Sequence, residues 1–167
     1  MTSTKSGPTG GTTYKTIAIP ANKQYSMRLE YNLIVFQSGD GALVPISTNS
    51  QSAASVTIST SAIDVAYSGT SYVRALWYNT NAIDFSQFSS VVMEATVASV
   101  RSSPYVFVAN AIPVVTDGPT SSKFLSTQTV ATNTSVYTLD LTNINESGYI
   151  GFCGSANMSF TKVVLYK

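Results

Sequence analysis

The chain has no histidine and only one cysteine, Cys153, among its 167 residues. Histidine is the commonest metal ligand and a frequent general base, so its absence removes the simplest routes to zinc and acid–base chemistry. The sequence also lacks the Ser-His-Asp, HExxH and P-loop patterns. A single cysteine cannot form an intramolecular disulfide. Cys153 follows an apolar stretch and has no histidine to activate it, so we expect a buried, unreactive thiol.

Charge is scarce as well. Charged residues make up 10% of the chain, and nine basic and eight acidic side chains leave a net charge of +1. So weak a field would not attract nucleic acid or an anionic membrane. The longest apolar runs fall far short of the about 20 residues that span a bilayer, and the first residues do not resemble a signal peptide. We expect no nucleic-acid partner, no membrane insertion and synthesis in a cytoplasm.

Hydroxyl side chains take the place of the missing charge. Serine and threonine occupy 46 of the 167 positions, while apolar residues make up 44% and aromatic residues 11%. This length and apolar content are enough for one domain with a real core. A surface so rich in hydroxyls is typical of extracellular β-proteins, yet no signal peptide is recognisable. A virion protein, made in the host cytoplasm and released by lysis, would satisfy both observations.

Turn signals divide the chain into short apolar and polar segments. Residues 1–13 are Gly, Ser, Thr and Pro without periodicity, which predicts a flexible N-terminal arm. From residue 14 to residue 167, turn residues recur about every ten positions and no helical stripe exceeds a couple of turns. The sequence therefore predicts one all-β domain over 14–167, an antiparallel β-sandwich or barrel.

Several local features are specific enough to be checked. Gly39 and Gly41 predict a hairpin turn with positive φ. Asp84 or Ser86 would cap a single helical turn that opens a long strand at 91–98. A further strand is expected within 102–115, and the polar stretch 116–135 is predicted to be mostly loop.

The end of the chain alternates apolar and polar residues. We expect three closing strands, with Tyr137, Leu139 and Leu141 facing the core of the first and a left-handed Gly148 in the turn that follows it. Ile150 and Phe152 share one face of the second strand. Around Lys162 the buried side changes register, which predicts a bulge.

Two segments, 81–97 and 136–166, resemble jelly-roll domains of the galactose-binding and carbohydrate-binding-module type, which include domains of bacteriophage tail and head appendages. The resemblance covers about the last ninety residues. It implies a jelly-roll sandwich and, since such fibres and spikes are often trimers, a homo-oligomer. The first seventy residues do not show the ligand loops of that group.

Candidate chemistry is limited to carboxylates and aromatic rings. A glycosidase would need two of the eight carboxylates to flank a cleft, and calcium would need a D-x-D-x-D-G loop, which is missing. We therefore expect no catalytic residue, no metal and no cofactor. Trp77, Tyr78 and Asn79 end a predicted strand near a loop and could stack on and bind a sugar. A lone tryptophan in a β-sandwich is, however, more often a core residue.

The function expected from these observations is that of a non-enzymatic bacteriophage virion protein, a capsid decoration, head fibre or tail appendage. Its N-terminal arm would bind other virion proteins, and its sandwich would bind host-surface glycans through many weak contacts. The alternative is a carbohydrate-binding module of a secreted glycan-acting protein. An enzyme acting on glycans is a third class, which requires the carboxylate pair.

Overall fold

The computed structural model describes residues 32–69 and 72–167. The predicted arm at 1–13, its boundary at residue 14 and the predicted strand at 14–20 lie outside the described residues. In the described part, nearly all regular structure is β-strand, in chain order β1 (Leu33–Gln37), β2 (Gly41–Ala42), β3 (Ile46–Ser50), β4 (Ala54–Ile58), β5 (Ile63–Tyr67), β6 (Ala75–Asn79), β7 (Ile83–Asp84), β8 (Ser90–Ala109), β9 (Phe124–Thr129), β10 (Val136–Asp140) and β11 (Ser147–Tyr166). A single 3-10 turn, Phe85–Gln87, separates β7 from β8.

The two long strands, β8 and β11, pair antiparallel along most of their length and pass through two sheets. Sheet I contains the first half of β8 and the last half of β11, with β10 beside β8 and with β1 and β5 beside β11. Sheet II contains the other two halves, with β9 beside β8 and β6 beside β11. Strands β2 and β4 extend sheet I, and β3 extends sheet II.

The long strands turn from one sheet into the other at a corner built on Gly154. The register passes from Cys153↔Tyr105 to Ser155↔Arg101, so three residues of β8 lie opposite Gly154 alone. Two of them, Ser102 and Ser103, have φ values of 60° and 49°, a conformation that costs about 1–2 kcal/mol for a residue with a Cβ. Gly154 has a φ of 143°, and a side chain there would overlap Pro104. This corner therefore requires glycine.

The inner faces of the two sheets form one hydrophobic core. Phe160 of sheet I meets two rings of sheet II, with its centroid 5.1 Å from that of Trp77 and 5.7 Å from that of Phe152. Val91 and Met93 from β8 and Tyr137 from β10 are fully buried in the same cluster. A core shared by both sheets confirms the predicted antiparallel β-sandwich.

The local predictions near the middle of the chain are confirmed. Gly39 and Gly41 have φ values of 98° and 79°. The carboxylate of Asp84 caps the 3-10 turn by accepting a 3.1 Å hydrogen bond from the Ser86 N–H. Phe85, the first residue of the turn, is fully buried. In β8 the buried side alternates as predicted at Val91, Met93 and Ala95.

The closing strands match the predicted alternation in most respects. Tyr137, Leu139 and Leu141 are buried. The register of β11 on β8 shifts between Phe160 and Lys162, so residues on both sides of this bulge, Met158, Phe160, Val163 and Leu165, all reach the core. The predicted change of buried side near Lys162 is confirmed.

The stretch 116–135 is mostly loop, as predicted, and contains one short strand, β9, which pairs with β8. Two expectations were wrong. Two pairs of strands were predicted separately, at 91–98 and 102–115 and at 148–154 and 157–167. Each pair is one continuous strand through the corner, β8 and β11 respectively. Gly148 is not left-handed; it lies in β11, where a side chain would overlap the carbonyl of Ala109.

No helix in the described ranges has the length and apolar character needed to cross a membrane.

Candidate functional site

The three predicted site residues lie on β6. Successive side chains of a strand point to opposite faces of the sheet, so Tyr78 lies on the face opposite to Trp77 and Asn79. Trp77 points inward and has no exposed surface. Its ring stands edge-on to Phe160 at an interplanar angle of 82°, and its indole N–H has no hydrogen-bond partner among the described residues. Trp77 is thus a core residue with no ring face available to a ligand, in agreement with the core alternative.

Asn79 is also buried, at 1% exposure. Its amide oxygen accepts a 2.6 Å hydrogen bond from the N–H of Ile150, and its amide nitrogen donates to the carbonyl of Asn81 at 2.5 Å. The first bond fixes the end of β6 against the start of β11, and the second holds the chain just after β6. The side chain thereby stabilises the sheet and is not directed at a ligand.

Tyr78 is the one predicted residue with an accessible ring. It lies on the outer face of sheet II and is half-buried. Its ring meets that of Tyr149 edge to face, with 5.9 Å between centroids and an interplanar angle of 85°. Tyr149 is also half-buried and lies on β11, one position before Ile150, whose side chain is inside. We call these two side chains the tyrosine pair.

Polar side chains border the tyrosine pair. Strand β3 is the neighbour of β6 and places Ser47 opposite Tyr78 and Asn49 opposite Leu76. Directly opposite residues of an antiparallel pair share a face. The hydroxyl of Ser47 and the amide of Asn49 therefore lie on the outer side of sheet II, and Asn49 is exposed. An apolar ring surface and groups that can donate and accept hydrogen bonds occur together here.

The rest of this outer face is aromatic and covered. Leu76, Tyr105, Phe107, Ala109 and Cys153 form a second buried cluster, against which Tyr78, Val115 and Phe124 pack. Its cover is the segment 110–123 between β8 and β9, which we call the strap. Burial raises the pKa of the Cys153 thiol, and the thiol donates to the carbonyl of Val115 at 3.6 Å. Cys153 is thus buried and poorly ionised, as predicted.

Asp117 holds the strap in place. Its carbonyl accepts hydrogen bonds from the Tyr105 hydroxyl at 2.7 Å and from the Arg74 guanidinium at 2.6 Å. Its carboxylate accepts from the Val114 N–H at 2.8 Å and pairs with Lys123 at 2.9 Å. Partial burial acts to raise the pKa of this carboxyl, but the bonds from Val114 and Lys123 outweigh it and lower the pKa.

The carboxylates of the described part are mostly bound locally. Asp84 and Asp140 accept from the side chain and backbone of nearby Ser86 and Thr142, while Asp64 accepts from Ser159 at 2.5 Å. Glu94 pairs with Lys162 at 3.0 Å. Over residues 32–69 and 72–167, no three Asp, Glu or Cys side chains come together as a metal site.

Sequence reasoning missed Tyr149 and the strap. The alternation of β11 places Tyr149 outside, but its contact with Tyr78 depends on which strand pairs with β11. The strap has a weak sequence signal, because its apolar residues are few and show no period, and because the bonds from Tyr105 and Arg74 to the Asp117 carbonyl come from outside the strap.

The fold, unlike the sequence, has recognisable relatives. No protein-family model and no curated protein sequence matches the chain. Among solved structures, it is similar to a low-affinity xylan-binding module, family 86, of Roseburia intestinalis, with a TM-score of 0.53 and 12% identity over 81% of this chain and 94% of that one. A mutant of a family 29 carbohydrate-binding module gives a TM-score of 0.51 and 8% identity over 81% and 90%. A second family 29 mutant gives 0.51 and 10% over 81% and 89%. At these identities the likeness shows a shared all-β sandwich.

Proposed function

We propose that this domain binds carbohydrate through the tyrosine pair and catalyses no reaction. The observation that carries the proposal is the placement of two half-buried tyrosine rings beside the polar strand β3, on the outer face of sheet II. The similar solved structures are carbohydrate-binding modules, one of them described as binding xylan. This likeness favours the module alternative among the functions expected from the sequence.

The chemistry of a sugar suits such a surface. A pyranose ring has an apolar face of C–H bonds and a rim of hydroxyl groups. Tyrosine offers an apolar ring with a polar tip, and Ser47 and Asn49 can exchange hydrogen bonds with the rim. Ligand sites in general combine aromatic surface with a few placed polar groups.

The local bonding of the carboxylates supports a binding role without catalysis. General acid–base hydrolysis of a glycoside needs one carboxyl with a raised pKa and a second carboxylate across the scissile bond. The pKa values of Asp84, Asp117 and Asp140 are lowered by hydrogen bonds to nearby donors. A carboxyl with a lowered pKa is a poor proton donor near neutral pH.

We expect low affinity for a single sugar chain, because the surface offers only two aromatic rings and is not a deep cleft lined by charged groups. Several copies on one particle or polymer would convert weak contacts into useful avidity. We therefore propose that the domain works in multiple copies.

The test is affinity electrophoresis in gels that contain soluble xylan or a soluble β-glucan. We expect Tyr78→Ala and Tyr149→Ala each to be retarded less than wild type. The Kd derived from the retardation should rise about tenfold, which corresponds to about 1.4 kcal/mol of binding free energy. Tyr166→Ala is the matched control, because it removes a half-buried tyrosine from sheet I. Thermal unfolding would establish that each variant is folded. Equal retardation of all four proteins would refute the site.

Membership of a virus particle stays a prediction from composition. Its support is the scarcity of charge and the abundance of serine and threonine, and it is compatible with glycan binding. Deletion of residues 1–13 should abolish attachment to other virion proteins and leave a folded domain. Capsid or tail genes beside this gene would support the role, and attachment that survives the deletion would refute the arm.

A further inference from the structure

A second aromatic surface lies at the opposite end of β6 from the tyrosine pair. Tyr72 precedes the strand and is 72% exposed, the largest exposed fraction among the large hydrophobic side chains of the described residues. The guanidinium carbon of Arg101 lies 5.2 Å from the centroid of its ring. The exposed ring of Tyr72 offers a flat apolar surface with a polar tip beside a cation.

The corner between the sheets holds these two side chains together. Arg101 lies opposite Ser155 on β11, and the Ser155 hydroxyl donates to the carbonyl of Val73, the residue after Tyr72. The backbone next to Tyr72 and the backbone of Arg101 are thus both held at Ser155. Next to Arg101, the exposed Ser102 and Ser103 have left-handed φ values. Bulges with such backbone strain are frequent at functional sites.

The contact leaves the hydrogen-bonding capacity of Arg101 available. A cation–π contact does not use the N–H donors of a guanidinium, and these donors match a carboxylate in a two-point contact. In residues 32–69 and 72–167, no carboxylate forms an ion pair with Arg101. Arg74, in contrast, is bound to the strap through Asp117.

We propose that Tyr72 and Arg101 form a second carbohydrate site, specific for a sugar that carries a carboxylate, such as a uronic acid. The sugar ring packs against the part of the Tyr72 ring that Arg101 leaves open, and its carboxylate binds the guanidinium of Arg101. The choice of a carbohydrate ligand rests on the proposed function, whereas the preference for a carboxylate follows from Arg101. The site is separate from the tyrosine pair and can be tested independently of it.

The experiment is an isothermal titration, at low salt, with tri-galacturonate and with its methyl ester, which removes the charge and keeps the rings. We expect wild type to bind the acid at least tenfold more tightly than the ester. Arg101→Gln should abolish this preference, Arg101→Lys should restore part of it, and Tyr72→Ala should weaken both ligands. Raising the salt concentration should weaken only the acid. Tyr72 and Arg101 lie at the surface, so these variants should keep the unfolding temperature of wild type.

Two controls separate this site from the tyrosine pair and from other carboxylates. Tyr78→Ala should bind tri-galacturonate as wild type does, even if xylan binding is lost. The acid site is refuted if wild type does not bind tri-galacturonate, or if Arg101→Gln binds it equally well. Equal binding of a tri-glutamate peptide would refute the carbohydrate class and indicate an acidic peptide. Failure of xylan to bind, with tri-galacturonate still bound, would refute only the tyrosine pair.

Discussion

The outer faces of the two sheets differ, although the same two strands run through both. On sheet I, β8 and β11 present Glu94, Thr96 and Ser159, and the polar groups pair with one another, as in the Glu94–Lys162 ion pair. On sheet II, the same strands present Tyr105, Phe107 and Tyr149. The outer face of sheet I is thus polar and faces solvent, whereas the outer face of sheet II is aromatic. The strap covers part of that surface and leaves the tyrosine pair accessible.

The largest loss of stability is expected when a side chain is added at Gly151, beside the aromatic surface of sheet II. A Cβ at Gly151 would overlap the carbonyl of Trp77 and crowd the ring of Phe107. Gly151→Ala should therefore lower the free energy of unfolding by about 3 kcal/mol, measured by urea denaturation. Gly118→Ala is the control, since no atom lies within 4 Å of the position of its Cβ, and it should change stability by less than about 0.5 kcal/mol. Equal stability of both variants would contradict this account of sheet II.

A smaller effect is expected from loosening the strap. Tyr105→Phe removes the hydroxyl that donates to Asp117 and should cost about 1 kcal/mol, the usual net value of one hydrogen bond. Because the strap covers Cys153, we also expect faster reaction of this thiol with a thiol reagent under native conditions. Tyr78→Phe, on the uncovered part of the face, should leave the reaction rate unchanged. If Tyr105→Phe also leaves it unchanged, the strap is not held by this bond.

Acid should weaken the strap through Asp117. The pKa of Asp117 is lowered in the folded state, so the stabilisation is present above the unfolded pKa, near 3.8, and is lost as pH falls through the folded value. Wild type should lose more stability than Asp117→Asn between about pH 5 and pH 3, measured by chemical denaturation at each pH. Parallel pH profiles of the two proteins would show that Asp117 is not the titrating group.

The smallest effect is expected on sheet I. The Glu94 side chain is 43% exposed in its pair with Lys162, and such surface pairs contribute less than about 1 kcal/mol. Glu94→Gln should lower stability by about 0.5 kcal/mol or less, and salt should remove the difference. A loss as large as that of Tyr105→Phe would mean that the two outer faces do not differ as described.

The inner core was more predictable from sequence than the outer faces. Alternation identifies the buried side at Tyr137, Leu139 and Leu141, and a break in the alternation near Lys162 identifies the bulge. Alternation does not decide whether Trp77 or Tyr78 is buried. Leu76, Trp77 and Tyr78 are all apolar or aromatic, so no polar residue marks the outer side of the strand. The contact between Tyr78 and Tyr149 depends on strand pairing over a long sequence separation, which no local pattern contains.

The most direct test of the central claim is to titrate the ¹⁵N-labelled protein with a xylan or β-glucan oligosaccharide and map the amide shifts. We expect saturable shifts on β6, on the first half of β11 and on β3, around Tyr78, Tyr149 and Ser47, with little change at Glu94 and Ser159 on sheet I. Shifts confined to sheet I would contradict carbohydrate binding at the tyrosine pair, as would no shift with any neutral glycan at millimolar concentration.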